Sequence, residues 1–338
     1  MKAIVYSEAG GSDVLRLVER AVPEPGPGEV RVRVSVSGVN PTDWKARRAG
    51  GPGQRPPFPE VVPNQDGAGT IDAVGAGVPN SRVGERVWLW EAAWERADGT
   101  AQEYVVLPER QAVALPDAAS FDLGASLGIP ALTAHRCLTV SVDRPDRLAE
   151  GSLAGCVVLV AGGAGAVGNA AIQLALWAGA TVVTTVSSQK KADLARAAGA
   201  DVVVNYRTDD VAAAIRQAAP SGVDIVVEVA PAANAALNHD VTGAAGTIAV
   251  YAADGDLSLP VRPLIQLNAG YEFVLVYTVP KAAKAQAVRD VSAAVAGGAL
   301  RVGEVAGLPL HRFPLEQTAA AHAAVEAGAV GKVLIDVG

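Results

Sequence analysis

Residues 156–175, CVVLVAGGAGAVGNAAIQLA, carry the pattern with the most chemistry in it. An apolar run, Val157 to Val160, breaks into glycines and then resumes as a helix-like pattern. Gly163, Gly165 and Gly168 fit G-x-G-x-x-G. In a βαβ unit that binds a dinucleotide, one such glycine permits a tight turn, one lets the backbone approach the pyrophosphate, and one lets helix pack on strand. The following helix aims its N–H groups and the positive end of its dipole at the phosphates. Any Ala/Gly-rich loop can match the bare motif. Here a strand before it, a helix after it and βα alternation downstream favour a cofactor over a merely structural turn.

The second strand of that series ends in TVVTTVSSQKK. NAD-binding units place an Asp or Glu about 20 residues beyond the glycines, on the ribose 2′-OH. Positions 181–192 contain no acid; the first is Asp193. Ser187, Ser188, Lys190 and Lys191 stand there instead and can donate to a 2′-phosphate, which predicts NADPH over NADH. The plainer alternative is that Lys190 and Lys191 solvate a helix start, although lysines disfavour that end of a helix.

Other chemistries are poorly supplied. Structural zinc needs four Cys/His ligands and catalytic zinc three with an open position. Two cysteines (Cys137 and Cys156) and four scattered histidines (His135, His239, His311 and His322) form no ligand cluster, so no metal is expected. No G-x-S-x-G elbow or persuasive Cys–His or Ser–His pairing appears. The segment NPTDWKARR places Asn40, Asp43, Lys45, Arg47 and Arg48 just after a strand, as either the rim of a cleft or an ordinary solvated turn. Trp88, Trp90 and Trp94 could line an apolar cleft, but core packing suits at least two of them better.

Bulk properties agree with a cofactor-dependent globular protein. The chain has 338 residues, half of them hydrophobic, enough for two domains. A net charge of −7 disfavours nucleic acid or an anionic membrane surface as partner. No apolar run reaches the ~18–20 residues of a membrane span. MKAIVYSEAGG enters a strand-like segment directly, without the apolar core of a signal peptide. With so few cysteines, the expectation is a reduced, cytoplasmic protein.

The first ~125 residues read as β-rich. VRVRVSVSGV (30–39) alternates with period two, and PEPGPGE and AGGPGQRPPFP supply turns around it. Shorter strands follow at 69–74, 84–90 and 101–108. From about residue 126, Val/Ile-rich strands alternate with helices: 157–160, 181–186, 201–206, 225–229 and 247–252. Such runs imply a parallel sheet covered on both faces. The tail contains FVLVYTV (273–279), read as a further strand, then a long Ala-rich helix, LPLHRFPL and a final strand KVLIDV (332–337). The expected division is a first domain of 1–125 and 266–338, and a nucleotide-binding domain of 126–265.

MKAIVYSEAGGSDVLRL, PEPGPGEVRVRVSVSGVNPTDW, GIPALTAHRCL, AGGAGAVGNAAIQLA, GADVVVNYR and GKVLIDV occur together, in order, over essentially the full length. In these blocks the chain resembles the zeta-crystallin-like NADPH:quinone oxidoreductases of the medium-chain dehydrogenase/reductase superfamily. The resemblance implies an α/β protein: a doubly wound Rossmann domain plus a GroES-like β-rich catalytic domain, with cofactor between them and dimers joined edge to edge through FVLVYTV. It also implies contacts. The glycine-rich turn falls on Gly163, Ala164, Gly165, Ala166 and Val167, and the 2′-phosphate group on Ser187, Lys191 and Tyr206. Ala230 and Asn234 fall near the ribose, while Tyr251, Ala252, Ala253, Val276, Tyr277 and Thr278 fall near the nicotinamide. Asn40 and Thr133 match positions close to the reacting ring. Lys45 stands where several relatives have tyrosine. Zinc-dependent relatives put Cys at Asn40 and His-Glu at Gln65-Asp66.

The implied reaction is hydride transfer from NADPH to a quinone or similar conjugated carbonyl acceptor, without zinc or flavin. Asn40 and Lys45 are the candidate donors to the oxyanion that forms; water is the alternative proton source. Reduction of an enal, enone or enoyl thioester is nearly the same chemistry. A non-catalytic NADPH-binding sensor is the reading from a different class.

Overall fold

The computed structural model describes residues 1–142 and 144–338. The chain divides into two compact units. Unit 1 comprises Met1–Ile129 and Leu310–Gly338, and unit 2 comprises Pro130–Pro309.

Unit 1 is built from β1 (Lys2–Val5), β2 (Arg16–Glu19), β3 (Glu29–Val39), α1 (Pro41–Arg48), β4 (Asp66–Val74), β5 (Arg86–Leu89), β6 (Tyr104–Pro108), β7 (Ala112–Ala114) and α2 (Phe121–Gly124). The chain then crosses into unit 2 along α3 (Gly128–Thr139). There it forms β8 (Val157–Ala161), α4 (Ala166–Trp177), β9 (Thr181–Val186), α5 (Gln189–Ala197), β10 (Val202–Asn205), α6 (Val211–Ala218) and β11 (Val223–Glu228). Next come α7 (Pro231–Val241), β12 (Thr242–Val250), α8 (Val261–Leu267), β13 (Gly270–Phe273) and α9 (Lys281–Ala296). It returns to unit 1 as β14 (Leu310–Pro314), α10 (Thr318–Glu326) and β15 (Lys332–Asp336).

The main sheet of unit 1 has the order β14-β15-β3-β4-β5-β7, with β6 also paired to β3. The alternation along β3 explains its place. Val30, Val32 and Val34 are buried with Ile71, Val87 and Leu107, while Arg31 and Arg33 lie on the other face, where Arg31 pairs with Asp72 at 3.0 Å. The closing strand β15 is antiparallel to β3, Val333 opposite Val39.

The sheet of unit 2 is parallel throughout, in the order β10-β9-β8-β11-β12-β13. Leu159, Val183, Val204, Val226 and Ile248 form its core, so the continuous apolar runs are strands buried on both faces. The order reverses between β8 and β11. In open α/β sheets, ligands bind beyond the carboxyl ends of strands at such a point.

Two expectations change. The segment FVLVYTV is not one strand: β13 ends at Phe273, and Val276–Thr278 form a 3₁₀ turn. Its neighbour β12 ends at Val250, which pairs with Phe273, so no ladder remains for the later residues. Residues 266–309 also belong to unit 2, not to the first domain, because β13 completes the parallel sheet. The return falls at residue 310 rather than 266.

Candidate active site

The turn after β8 lies at the point where the strand order reverses. Gly165 N–H donates to the Gly162 carbonyl at 3.0 Å, and Gly162 adopts φ +71°. The left-handed residue is therefore Gly162, just outside the 163/165/168 pattern on which the sequence reading rested. A Cβ on Gly163 would lie 2.2 Å from Thr184 Oγ1, and one on Gly168 would lie 2.4 Å from the Gly162 carbonyl oxygen. These two glycines allow close packing. Gly165 differs: it is exposed, a Cβ there meets only the Gly162 oxygen at 3.5 Å, and it caps α4 without a side-chain hydrogen bond. Ala166 and Val167 open the helix half-buried, while Ala164 is buried. At Gly165 the helix start thus leaves its N–H groups without a side-chain cap, a cradle suited to a pyrophosphate.

The ends of β9 and β10 bring the proposed 2′-phosphate residues to one edge. Val186 is paired with Asn205, so Ser187 and Tyr206 follow neighbouring strand ends. Lys191 Nζ donates to Ser187 Oγ at 2.9 Å, and Tyr206 is exposed. Ser188 Oγ is used differently, accepting from Lys191 N–H as the cap of α5.

Beyond β11, Glu228 is wholly buried and accepts hydrogen bonds from Ala230 N–H at 2.6 Å, Asn238 Nδ2 at 2.6 Å and Asn234 Nδ2 at 3.0 Å. Asn234 is therefore tied inward by its amide nitrogen. Tyr251 N–H donates to the Glu228 carbonyl at 3.0 Å, and burial pushes the Tyr251 hydroxyl far above its ordinary range. Ala252 is half-buried and Ala253 exposed. In the 3₁₀ turn, Val276 and Tyr277 are buried, Thr278 is exposed, and the Tyr277 carbonyl accepts from Lys284 Nζ at 2.9 Å. Thr133 is buried on α3, and His135, two residues further on, holds Asp290 Oδ2 at 2.8 Å. That histidine is a packed one. Burial pushes the Cys137 thiol up to about 12 and raises Cys156 as well, so neither is an activated nucleophile.

In unit 1 the segment NPTDWKARR is no solvated turn. It is α1, entered through Asn40, and Asn40, Asp43 and Arg47 are buried. Asn40 Oδ1 accepts from Lys332 Nζ at 2.7 Å, and Asn40 Nδ2 donates to Asp66 Oδ2 at 2.7 Å. Lys332 Nζ also lies 3.3 Å from Asp66 Oδ2, while Asp66 Oδ1 accepts from Ile129 N–H at 2.8 Å. Asp43 Oδ2 accepts from Asn40 N–H at 2.6 Å. Burial pushes the Asp43 carboxyl up to about 7, against the pull of the Asn40 and Gln65 N–H groups, with Asp66 adding to the push. Burial also raises Asp66, which Lys332 opposes. Lys45 is exposed, its ammonium 5.8 Å from the Trp44 ring centre. Trp88 and Trp90 are core residues.

Lys332 and Asp66 escaped the sequence reading as functional residues. Lys332 opens an apolar strand, VLIDV, and a lysine there is most simply a strand-end charge. Its partners lie 292 and 266 residues away. A zinc ion does not fit this donor set. The positions of the zinc ligands are an amide, an amide and a carboxylate (Asn40, Gln65 and Asp66), and an ammonium already sits against two of them.

Residues 26–117 match the alcohol dehydrogenase GroES-like domain, and residues 166–293 match the zinc-binding dehydrogenase family. The chain is 30% identical to the quinone oxidoreductase of Lama guanicoe, over 99% of this chain and 97% of the relative. Against the human synaptic vesicle membrane protein VAT-1 homolog, it is 32% identical over 79% of this chain and 65% of the relative. An NAD-dependent alcohol dehydrogenase superimposes with a TM-score of 0.84 at 29% identity, covering 100% of both chains. A mycobacterial protein crystallised with NADPH superimposes at 0.80 and 29% identity, covering 99% of each. By sequence over its whole length and by fold, the chain belongs to the medium-chain dehydrogenase/reductase superfamily, among relatives that are quinone oxidoreductases.

Proposed function

We propose that the protein reduces a quinone, or a similar conjugated carbonyl compound, with NADPH and without a metal ion. One observation supports this above others: the glycine-rich turn at Gly162–Val167, whose helix start at Gly165 has no side-chain cap, follows the strand neighbouring one whose end carries a lysine–serine pair and no acid. Gly163, Ala164, Gly165, Ala166 and Val167 would hold the pyrophosphate through main-chain N–H groups. Ser187, Lys191 and Tyr206 would hold the 2′-phosphate. An acid at that position would repel the phosphate, whereas an ammonium attracts it. Ala230, Asn234, Tyr251–Ala253 and Val276–Thr278 would border the ribose and nicotinamide, with Thr133 near the reacting ring.

When bound, the reduced nicotinamide supplies a hydride. The protein's own work is to orient the reactants, exclude water and stabilise the charge that appears on the acceptor oxygen. Asn40 is a donor for that oxygen. Lys45 is a second, exposed donor, and bulk water can provide the proton. A cytoplasmic setting suits two buried, unpaired cysteines. A homodimer is supported by the edge of unit 2, where Ile265, Phe273 and Leu275 are 68%, 70% and 52% exposed. Light scattering at micromolar concentration tests it, a monomer being the contrary result.

The deciding assay follows loss of NADPH absorbance with 1,4-benzoquinone, phenanthrenequinone and a panel of enones. Faster turnover of quinones supports the proposal, and turnover of enones alone makes the protein a double-bond reductase. Tight NADPH binding without turnover of any acceptor would make it a sensor. Activity that chelators abolish would overturn the metal-free reading.

A further inference from the structure

The polar cluster of unit 1 contains a fixed orientation and a buried charge that the reading above leaves unused. An ammonium has only donors and an ionised carboxylate only acceptors. Asn40 lies between one of each, so its amide has a single satisfactory orientation: Oδ1 toward Lys332 and Nδ2 toward Asp66. Both partners are almost completely enclosed, Lys332 at 1% exposure and Asp66 at 0%. The lysine is thus screened little by solvent, and its pull on the amide carbonyl is strong.

From this geometry we infer that Lys332 is a positioning residue that acts through Asn40, holding the amide so that its second Nδ2 hydrogen is presented to the acceptor oxygen and polarising that N–H. The inference rests on the proposed reductase function. Nδ2 carries two hydrogens, and Asp66 takes one. The ammonium on Oδ1 draws electron density from the amide and makes the remaining N–H a stronger donor to a developing oxyanion. The buried positive charge thereby reaches the reacting oxygen through the amide. A metal ion is not needed to bring it there. Asp66 completes the device, because its other oxygen is held by Ile129 N–H and cannot swing away.

The test is a double-mutant cycle on the full chain. Lys332→Met is expected to lower kcat roughly tenfold or more while KM for NADPH stays within about twofold, and Asn40→Ala to lower kcat about a hundredfold, as loss of one oxyanion donor does. If Lys332 acts through Asn40, adding Lys332→Met to Asn40→Ala should cost almost nothing further. Lys332→Arg should recover part of the rate. Losses that multiply in the double variant, or a folded Lys332→Met with unchanged kcat, overturn the inference. Should Lys332→Met fail to fold, Lys332→Arg and the wild type still decide through ¹⁵N NMR without cofactor. Expected are a slowly exchanging Lys332 ammonium signal and Asn40 side-chain amide signals that move in Lys332→Arg. A rapidly exchanging ammonium or unmoved amide signals overturn it. This spectroscopic arm needs no turnover, so it stands even if every acceptor fails and the reductase proposal falls.

Discussion

Unit 2 would meet its proposed ligand mainly with backbone, whereas the candidate groups of unit 1 are side chains buried among one another. In unit 2 the glycine turn, the end of β9 and the end of β11 are each local in sequence, and the core beneath them is Val, Ile and Leu. In unit 1 the clustered buried groups are Asn40, Asp43, Asp66 and Lys332, drawn from α1 and its cap, β4 and β15. Backbone recognition depends on what is missing, namely Cβ atoms and acids. Side-chain recognition depends on charges whose removal leaves a partner stranded. The two units should therefore fail in different ways.

The largest effect is expected in unit 1. Asp66→Ala leaves Lys332 buried without its counter-charge, and breaking such a pair by removing one partner costs ~3–5 kcal/mol. Denaturant unfolding measures it; a loss under about 1 kcal/mol would show the cluster to be well solvated. Next is Lys191→Ala in unit 2, which should weaken NADPH by ~1.5–3 kcal/mol, the worth of a charge-assisted hydrogen bond, and leave NADH nearly unchanged. Titration calorimetry with both coenzymes distinguishes this from equal losses, which would return Lys191 to a plain helix-start role.

The glycines sharpen the contrast within unit 2. Gly168→Ala pushes a methyl group to 2.4 Å from backbone oxygen and should destabilise the free protein by ~1–3 kcal/mol. Gly165→Ala has room in the free protein, so its melting temperature should hardly move while affinity for the cofactor falls. If both variants simply unfold, the turn is built for packing and the cradle reading loses its support.

The smallest net effect is the pH dependence of stability of the unaltered protein in unit 1, where two buried groups pull in opposite directions and largely offset one another. Asp43 rises from 3.8 to about 7 on folding, so the native state holds its proton more tightly and stability falls as pH rises from about 4 to 7. His322, whose Nε2 is 2.9 Å from Asn64 Oδ1, drops from 6.5 to about 3 through burial and the charge of Arg47. The unfolded state then takes up that proton first, and stability grows between about pH 3 and 6.5. Asp43→Asn should leave the rising contribution of His322, and His322→Gln the falling contribution of Asp43. Unfolding midpoints across pH 4–7 that keep one slope in both variants would contradict these assignments.

What the amino-acid sequence revealed follows the same division. The βα series was legible because each Val/Ile run and its following helix are contiguous, and Ser187 and Lys191 are four residues apart on one strand-to-helix turn. Gly162 was hidden by its neighbours, since spacing alone does not say which of several adjacent glycines takes a positive φ. FVLVYTV has the composition of a strand, but the length of β12 beside it sets where pairing stops. NPTDWKARR looked exposed because its charges are visible in sequence and their burial is not. Lys332 gave one faint signal, a lysine opening an otherwise apolar strand. Nothing local links it to Asn40 or Asp66, because it takes the antiparallel pairing of β3 with β15 on one side and with β4 on the other to bring the three together.

The four helices that follow β8, β9, β10 and β11 differ at their starts. Ser188 closes the first turn of α5, Asp210 that of α6, and Asp254 reaches over to the Ala232 and Ala233 N–H groups of α7 at 2.9 and 3.0 Å. Only α4 among these four begins on a glycine with no side chain answering it. On the proposed reading, a travelling anion would encounter one open berth in a row of occupied ones, and the fold would sort productive from unproductive docking before any base or ring is recognised.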